Sequence, residues 1–230
     1  MKRFFLFLLF PEAGFRKEVQ AKKISKGKLI YALSINFVLP LLFLIFGLII
    51  NANQPLKERI QALQDTKVPE VVDDYGRYAP IPFIFVLDRV GMSARTPFVV
   101  RVLTFTSAYI IGDAVVHRTK QFTKVTRPKK EYGNTSFPSQ HTNQAFLASM
   151  ALHHEYIGSK GGGVVSAAGM VCAGGVGYLR YARDKHWSSD VLVGAAVGMM
   201  AVNVVYMFLY GLLTLLVQTS WTFIRSKFKR

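Results

Sequence analysis

Apolar residues in this sequence are gathered into long uninterrupted runs rather than spaced as narrow stripes. Residues 29–50 form 22 consecutive positions without a charge, residues 161–179 are also charge-free, and residues 191–217 form 27. Roughly 20 apolar residues in a helix cross a hydrocarbon core about 30 Å thick, so each run predicts a spanning helix. Residues 97–116 are interrupted only by Arg101 and Asp113, and residues 142–156 predict a shorter, more polar helix. Both suit the inside of a bundle. A sixth segment, 76–90, is apolar from Ile81 to Leu87 but is broken by Pro80 and Pro82 and closed by Asp88 and Arg89. Gly169, Ala173 and Gly177, like Gly194 and Gly198, are small residues at four-residue spacing that let helix backbones approach closely. The predicted fold class is all-α, a polytopic membrane helical bundle.

Charge decides the number of crossings. The 230 residues carry 29 Lys and Arg against 13 Asp and Glu, a net charge of +16, and 51% are hydrophobic. Such an excess fits nucleic acid, anionic lipid or a phosphorylated ligand, and the long apolar runs turn the choice away from nucleic acid. Eight bases fall within residues 1–28 and four (Arg225, Lys227, Lys229 and Arg230) at the end of the chain. Short flanking segments rich in Lys and Arg stay on the cytoplasmic side, so both ends are predicted there, against anionic lipid. Two ends on one side require an even number of crossings. Segment 76–90 therefore counts, and six transmembrane helices are expected. The chain divides into a basic, partly amphipathic interfacial segment (1–28), a membrane domain (29–219) and a basic tail (220–230). Lys2 and Arg3 followed by seven apolar residues resemble a signal peptide, but no small-x-small cleavage site follows, which favours a retained interfacial segment. Cys172 is the one cysteine, so no intrachain disulfide framework is expected.

One loop breaks the charge rule. Residues 117–141 lie outside in this topology, yet they carry Arg118, Lys120, Lys124, Arg127, Lys129 and Lys130 against Glu131 alone. A basic loop on the disfavoured side points to an anionic ligand. The same side collects three polar clusters: Lys120, six residues, then Arg127-Pro128; Pro138-Ser139-Gln140-His141; and Arg180, five residues, His186, three residues, Asp190. Singly, these are solvated bases, a helix cap and a locally satisfied histidine. Together they supply a phosphoryl-transfer site. Lys120, Arg127 and Arg180 provide fixed cations for the non-bridging oxygens, and Ser139 stands before a helix whose free N–H groups favour an anion. His186 and Asp190, four apart, share a helix face, so the carboxylate can hold one ring nitrogen while the other attacks phosphorus. His141 remains to protonate the leaving oxygen.

These clusters resemble the signature of the type 2 phosphatidic acid phosphatase family, whose pattern is lysine, six residues, Arg-Pro; Pro-Ser-Gly-His; and Ser-Arg, five residues, His, three residues, Asp. Gln140 replaces the glycine and Leu179 the serine. The resemblance covers about residues 76–215. It implies a metal-independent, cofactor-free lipid phosphate phosphatase with a phosphohistidine at His186, oriented by Asp190, and His141 as general acid. Lys120, Arg127, Ser139, Gln140 and Arg180 then hold the phosphate, with Pro128 and Pro138 in support. A glycine with positive φ in the family would leave Gln140 strained, while its amide could reach the substrate. Substrates implied are polyprenyl diphosphates, phosphatidylglycerophosphate, phosphatidic acid and lipid A phosphate, in a bacterial inner membrane with the site facing the periplasm. The rival classes are a lipid phosphotransferase using the same phosphohistidine and a non-catalytic lipid-phosphate binding or transport protein, which has no need of His186 and Asp190.

His153, His154 and Glu155 suggest a metal site, but neighbours on a helix point in different directions, and a polar helix end is the expectation. Asp113 and Arg101 lie within a span, where ionisable groups are often functional; Asp113 could pair with a basic residue of the site, and a structural ion pair is the expectation. Asn134-Thr135-Ser136 matches a glycosylation sequon, read as chance because a glycan between the first two clusters would crowd the substrate. Trp187 is assigned to the lipid entrance or to the membrane interface.

Overall fold

The computed structural model describes residues 33–63 and 71–227, and among these the regular structure is entirely helical. In chain order the helices are α1 (Ser34–Ala52), α2 (Gln54–Gln61), α3 (Val71–Gly76), α4 (Pro80–Val86), α5 (Phe98–Thr123), α6 (Gln140–Tyr156), α7 (Gly162–Ala182) and α8 (Ser188–Lys227). Four of them, α1, α5, α7 and the Ser188–Phe208 part of α8, are long and apolar enough to cross a membrane. Leu41, Ile45, Phe46, Leu103, Ile110 and Val171 lie exposed along α1, α5 and α7. An apolar exterior of this kind is stable only in lipid. The interfacial segment 1–28 and the end of the basic tail lie outside the described residues.

Segment 76–90 is not one continuous helix. Pro80 and Pro82 open α4, where a missing N–H costs nothing, and a 3₁₀ turn over Leu87–Val90 ends at Gly91, whose φ of +96° suits glycine.

The polar helix expected over 142–156 is the centre of the bundle. It is α6, which begins at Gln140 and is buried at every position from Thr142 to Tyr156. Helices α4, α5, α7 and α8 pack around it. His153, His154 and Glu155 are therefore not an exposed polar end. His153 Nδ1 lies 2.6 Å from Ser166 Oγ and His154 Nε2 2.7 Å from Asn203 Oδ1. Glu155 accepts from the Thr96 N–H at 3.0 Å, the Thr96 hydroxyl at 2.8 Å and the Tyr206 hydroxyl at 2.6 Å. Arg101, 1% exposed, forms an ion pair with Asp88 at 2.9 Å and also donates to the Ile84 carbonyl and the Tyr156 hydroxyl. Polar side chains survive in a lipid-surrounded core because partners satisfy them there.

Two glycines set the approach of α8 to α6. A Cβ at Gly194 would meet the Ser139 carbonyl oxygen at 2.4 Å, and one at Gly198 the Asn143 carbonyl oxygen at 2.3 Å. Backbone contact of this closeness is the purpose of small residues between membrane helices.

Candidate functional site

The three clusters meet at one end of the bundle, where α5 and α7 end and α6 and α8 begin. Backbone bonds knit them together. The Ser139 N–H donates to the Asp190 carbonyl at 2.9 Å, Ser136 N–H to the Val125 carbonyl at 2.9 Å, and His186 N–H to the Arg180 carbonyl at 3.1 Å. Trp187, from beside His186, donates its indole N–H to the Thr126 carbonyl at 2.8 Å, tying the third cluster to the basic loop.

Local sequence places Asp190. It sits three residues into the start of α8, and its Oδ2 reaches back to accept the Trp187 N–H at 2.9 Å, the geometry of a capping box. The Ser136 hydroxyl donates to the same oxygen. Held from two sides, the carboxylate faces His186 Nδ1 at 3.5 Å. His186 is 1% exposed and Asp190 0%. Burial, reinforced by Lys120 and Arg127 and opposed by Asp190, lowers His186 to about 4, so the imidazole is neutral at physiological pH. A neutral ring with Nδ1 turned to a carboxylate presents its Nε2 lone pair on the opposite edge.

The cations gather around this pair. Arg127, in the loop after α5, is depressed by burial first and then by Arg180, two guanidiniums brought together although they repel. Such an arrangement favours an anion with several oxygens. Lys120, in the last turn of α5, donates to the carbonyls of Thr135 and Ser136, so it braces the loop that carries Ser136 as well as adding charge. His141 opens onto the same end, with its Nε2 2.8 Å from Asp74 Oδ1, and Arg180 Nη1 lies 3.6 Å from that oxygen.

Ser139 is the N-cap of α6, accepting the Thr142 N–H at 3.4 Å and the Thr142 hydroxyl at 2.9 Å. Gln140 is helical, and the positive φ values of non-glycine residues among those described belong to Lys124 and Asp184, so the substitution carries no strain. Its side-chain amide is turned from the cluster of cations to α5, donating to both Asp113 oxygens at 3.0 and 3.1 Å, and Gln144 adds a bond at 2.9 Å. Asp113 is thus held by amides rather than in the expected ion pair, and the Gln140 contribution left to an anion is its backbone N–H. Pro138 is buried against the cap, after a cis Phe137-Pro138 bond, and Pro128 is half-buried.

Ser136, Asp74 and Lys57 were not singled out from sequence. Ser136 was absorbed into the apparent sequon, though it is fully buried. Lys57, on α2, lies 4.8 Å from the Trp187 ring centre and donates to Asn51. Asp74 lies on α3, beside Asp73 and outside the three clusters, and no spacing in the sequence tied it to His141.

Residues 101–213 match the PAP2 superfamily. A 65-residue stretch is 45% identical to a lipid A 1-phosphatase from Porphyromonas gingivalis, covering 28% of this chain and 14% of that protein. This chain therefore matches only a small part of the length of that relative. Among solved structures, it is similar to the crystal structure of Aquifex aeolicus LpxE, at 23% identity and a TM-score of 0.49, over 64% of this chain and 92% of that one.

Proposed function

Given that residues 101–213 place the chain in the PAP2 superfamily, we propose that it is an integral membrane phosphatase that hydrolyses a lipid phosphate through a phosphohistidine intermediate at His186. The observation that carries this reading is the buried His186 with Asp190 held against its Nδ1, at the point where Arg127, Arg180 and His141 converge.

His186 Nε2 attacks phosphorus; a P–N bond forms as the P–O bond to the lipid breaks. Asp190 stabilises the charge that develops on the ring through Nδ1–H. His141 gives its proton to the departing alkoxide, so a lipid alcohol leaves. Water then attacks phosphorus, His141 takes a proton back, the P–N bond breaks and inorganic phosphate departs. Arg127, Arg180, the remaining N–H of Lys120 and the free N–H groups at the start of α6 stabilise the charge spread over the phosphoryl oxygens. The chemistry calls on no metal ion.

A six-crossing topology accounts for the path of the chain. Asp74 lies by His141 at the site end, whereas Arg95 N–H donates to the Glu155 carbonyl at the other end, so α3, α4 and the turn after them run the length of the bundle. With α1, α5, α6, α7 and α8 this makes six passes, and the charge rule then sets the site on the periplasmic face. A lipid whose head group emerges at that surface while its chains stay in the bilayer is the substrate class. The resemblance to a lipid A 1-phosphatase favours a glycolipid phosphate.

The test is phosphate release by purified protein across lipid A, phosphatidic acid, phosphatidylglycerophosphate and polyprenyl diphosphate. We expect turnover of at least one, its loss in His186→Ala, and a clear preference within the panel. Wild-type turnover in His186→Ala contradicts the mechanism, and transfer of phosphate to an added acceptor in place of water makes the protein a transferase.

A further inference from the structure

Asp74 belongs to none of the three sequence clusters, yet its contact with His141 Nε2, at 2.8 Å, joins residues 67 apart in sequence. Burial acts to raise the Asp74 carboxyl, but the hydrogen bond with His141, then the charges of His141, Arg180 and Arg77, hold it below the usual carboxylate range. Its side chain is 56% exposed, so the contact with His141, 19% exposed, is not forced by burial in the core.

Resting on the phosphatase reading, we propose that Asp74 is the positioning residue of the general acid, holding the His141 ring by Nε2 with its opposite edge free and setting a negative charge beside it against the cations of the site. The charged groups facing His141 are Asp74 from α3, Arg77 from the turn that follows, and Arg180 from α7. Burial first, and then the two guanidiniums, lower His141 to about 4, and Asp74 is the group that opposes them, by its hydrogen bond and its charge. A phosphate site needs those guanidiniums, whereas a proton donor beside them needs a carboxylate. With Nε2–H held by Asp74, the opposite edge, Nδ1–H, gives its proton to the leaving alkoxide; the ring becomes neutral, and the attacking water returns the proton in the second step. The arrangement repeats on the acid the carboxylate–imidazole pairing that Asp190 makes with the nucleophile.

Leaving-group chemistry separates this role from a structural one. Dodecyl phosphate expels an alkoxide and needs the proton; p-nitrophenyl phosphate expels a stabilised phenolate and needs it far less. With full-length protein in detergent micelles, Asp74→Asn is expected to lower kcat on dodecyl phosphate by about 10²-fold, a typical contribution of general acid catalysis. The loss on p-nitrophenyl phosphate is expected to be only a few-fold. The basic limb of the dodecyl phosphate profile should move to lower pH, and Asp74→Glu, which keeps the charge, should retain most of the activity. In a His141→Ala background Asp74→Asn should cost little more. Equal losses on both substrates, an unmoved pH limb or additive losses in the double variant overturn the proposal. So does a gain in Asp74→Asn, which would make Asp74 a competitor for the phosphate cations. Asp74→Ser supplies the same comparison where Asp74→Asn does not purify. A wild type inactive on both substrates and on the lipid panel refutes the phosphatase reading itself; where a panel lipid alone is turned over, it takes the place of dodecyl phosphate and the pH limb and the double variant decide, and an active wild type with an indifferent Asp74→Asn refutes only this inference.

Discussion

The Ser136 hydroxyl donates to Asp190 Oδ2 across 54 residues of sequence, with both side chains fully buried. Together with the Trp187 N–H, this bond fixes the carboxylate that faces His186. A hydrogen bond to a charged group contributes about 1.5–3 kcal/mol. Ser136→Ala is therefore expected to lower kcat by roughly ten-fold or more with little change in KM. Asp190→Asn, which removes the charge itself, should lose far more. Steady-state kinetics on one lipid phosphate checks both, and an unimpaired Ser136→Ala would leave Asp190 positioned by the helix start alone.

His186, held at about 4 instead of 6.5, stays neutral throughout the range in which a free imidazole gains its proton. The acid limb of kcat/KM due to the nucleophile should therefore lie near pH 4, once the second ionisation of the phosphate near 6 is allowed for. Stability moves in the same sense. Between 6.5 and 4 the unfolded chain binds a proton that folded His186 refuses, so folding free energy is lost as pH falls through that window and the loss is complete below the folded value. A pH–rate profile and thermal melts in detergent read the two effects, and an acid limb at 6.5 due to the nucleophile would contradict this burial.

Close packing at Gly194 joins helix contact to catalysis, because the atom a Cβ would strike is the carbonyl of Ser139. Gly194→Ala is expected to cost about 1–3 kcal/mol of stability and to reduce turnover by shifting the start of α6. Gly174→Ala, on α7, has open space around it and should be neutral or slightly stabilising. Melting temperature and kcat for the two variants make the comparison, and equal behaviour would place no constraint at Gly194.

Arg101 answers Asp88 and Glu155 at the end of the bundle away from the site. Arg101→Met leaves buried acceptors without their donor and should destabilise by about 3–5 kcal/mol, seen as a lower melting temperature. The fraction that folds should keep its KM, since no residue of the phosphate cluster is touched. A changed KM at unchanged stability would assign Arg101 to substrate instead.

Chelation tests the absence of a metal from the proposed chemistry. Incubation with EDTA is expected to leave phosphate release unaltered, because the proposed mechanism uses neutral His186 as nucleophile and fixed cations around the phosphate. Loss of activity with restoration by a divalent ion would turn His186 and Asp190 into ligands.

Read from residues alone, the spans were legible because a charge-free run of 22 or 27 residues has one stable environment whatever its neighbours are. The candidate site was legible as three clusters for a similar reason: Lys120 and Arg127, like His186 and Asp190, stand at fixed local spacings. Gln140 shows where this stops. Its type said it could reach a phosphate, but the side chain follows Asp113 on α5, and the direction depends on how α5 lies against α6.

The sequence by itself therefore determined the helical membrane character and the residue types of the proposed site, since hydropathy and spacing act within a single segment. Tertiary structure alone decided that α6 is the enclosed centre, that His153 to Glu155 face inward, and that Ser136 and Asp74 hold the two ends of the proposed proton chemistry. Each of those depends on contacts between residues far apart in the chain, and such contacts exist only once the helices have packed, at separations that Gly194 and Gly198 permit.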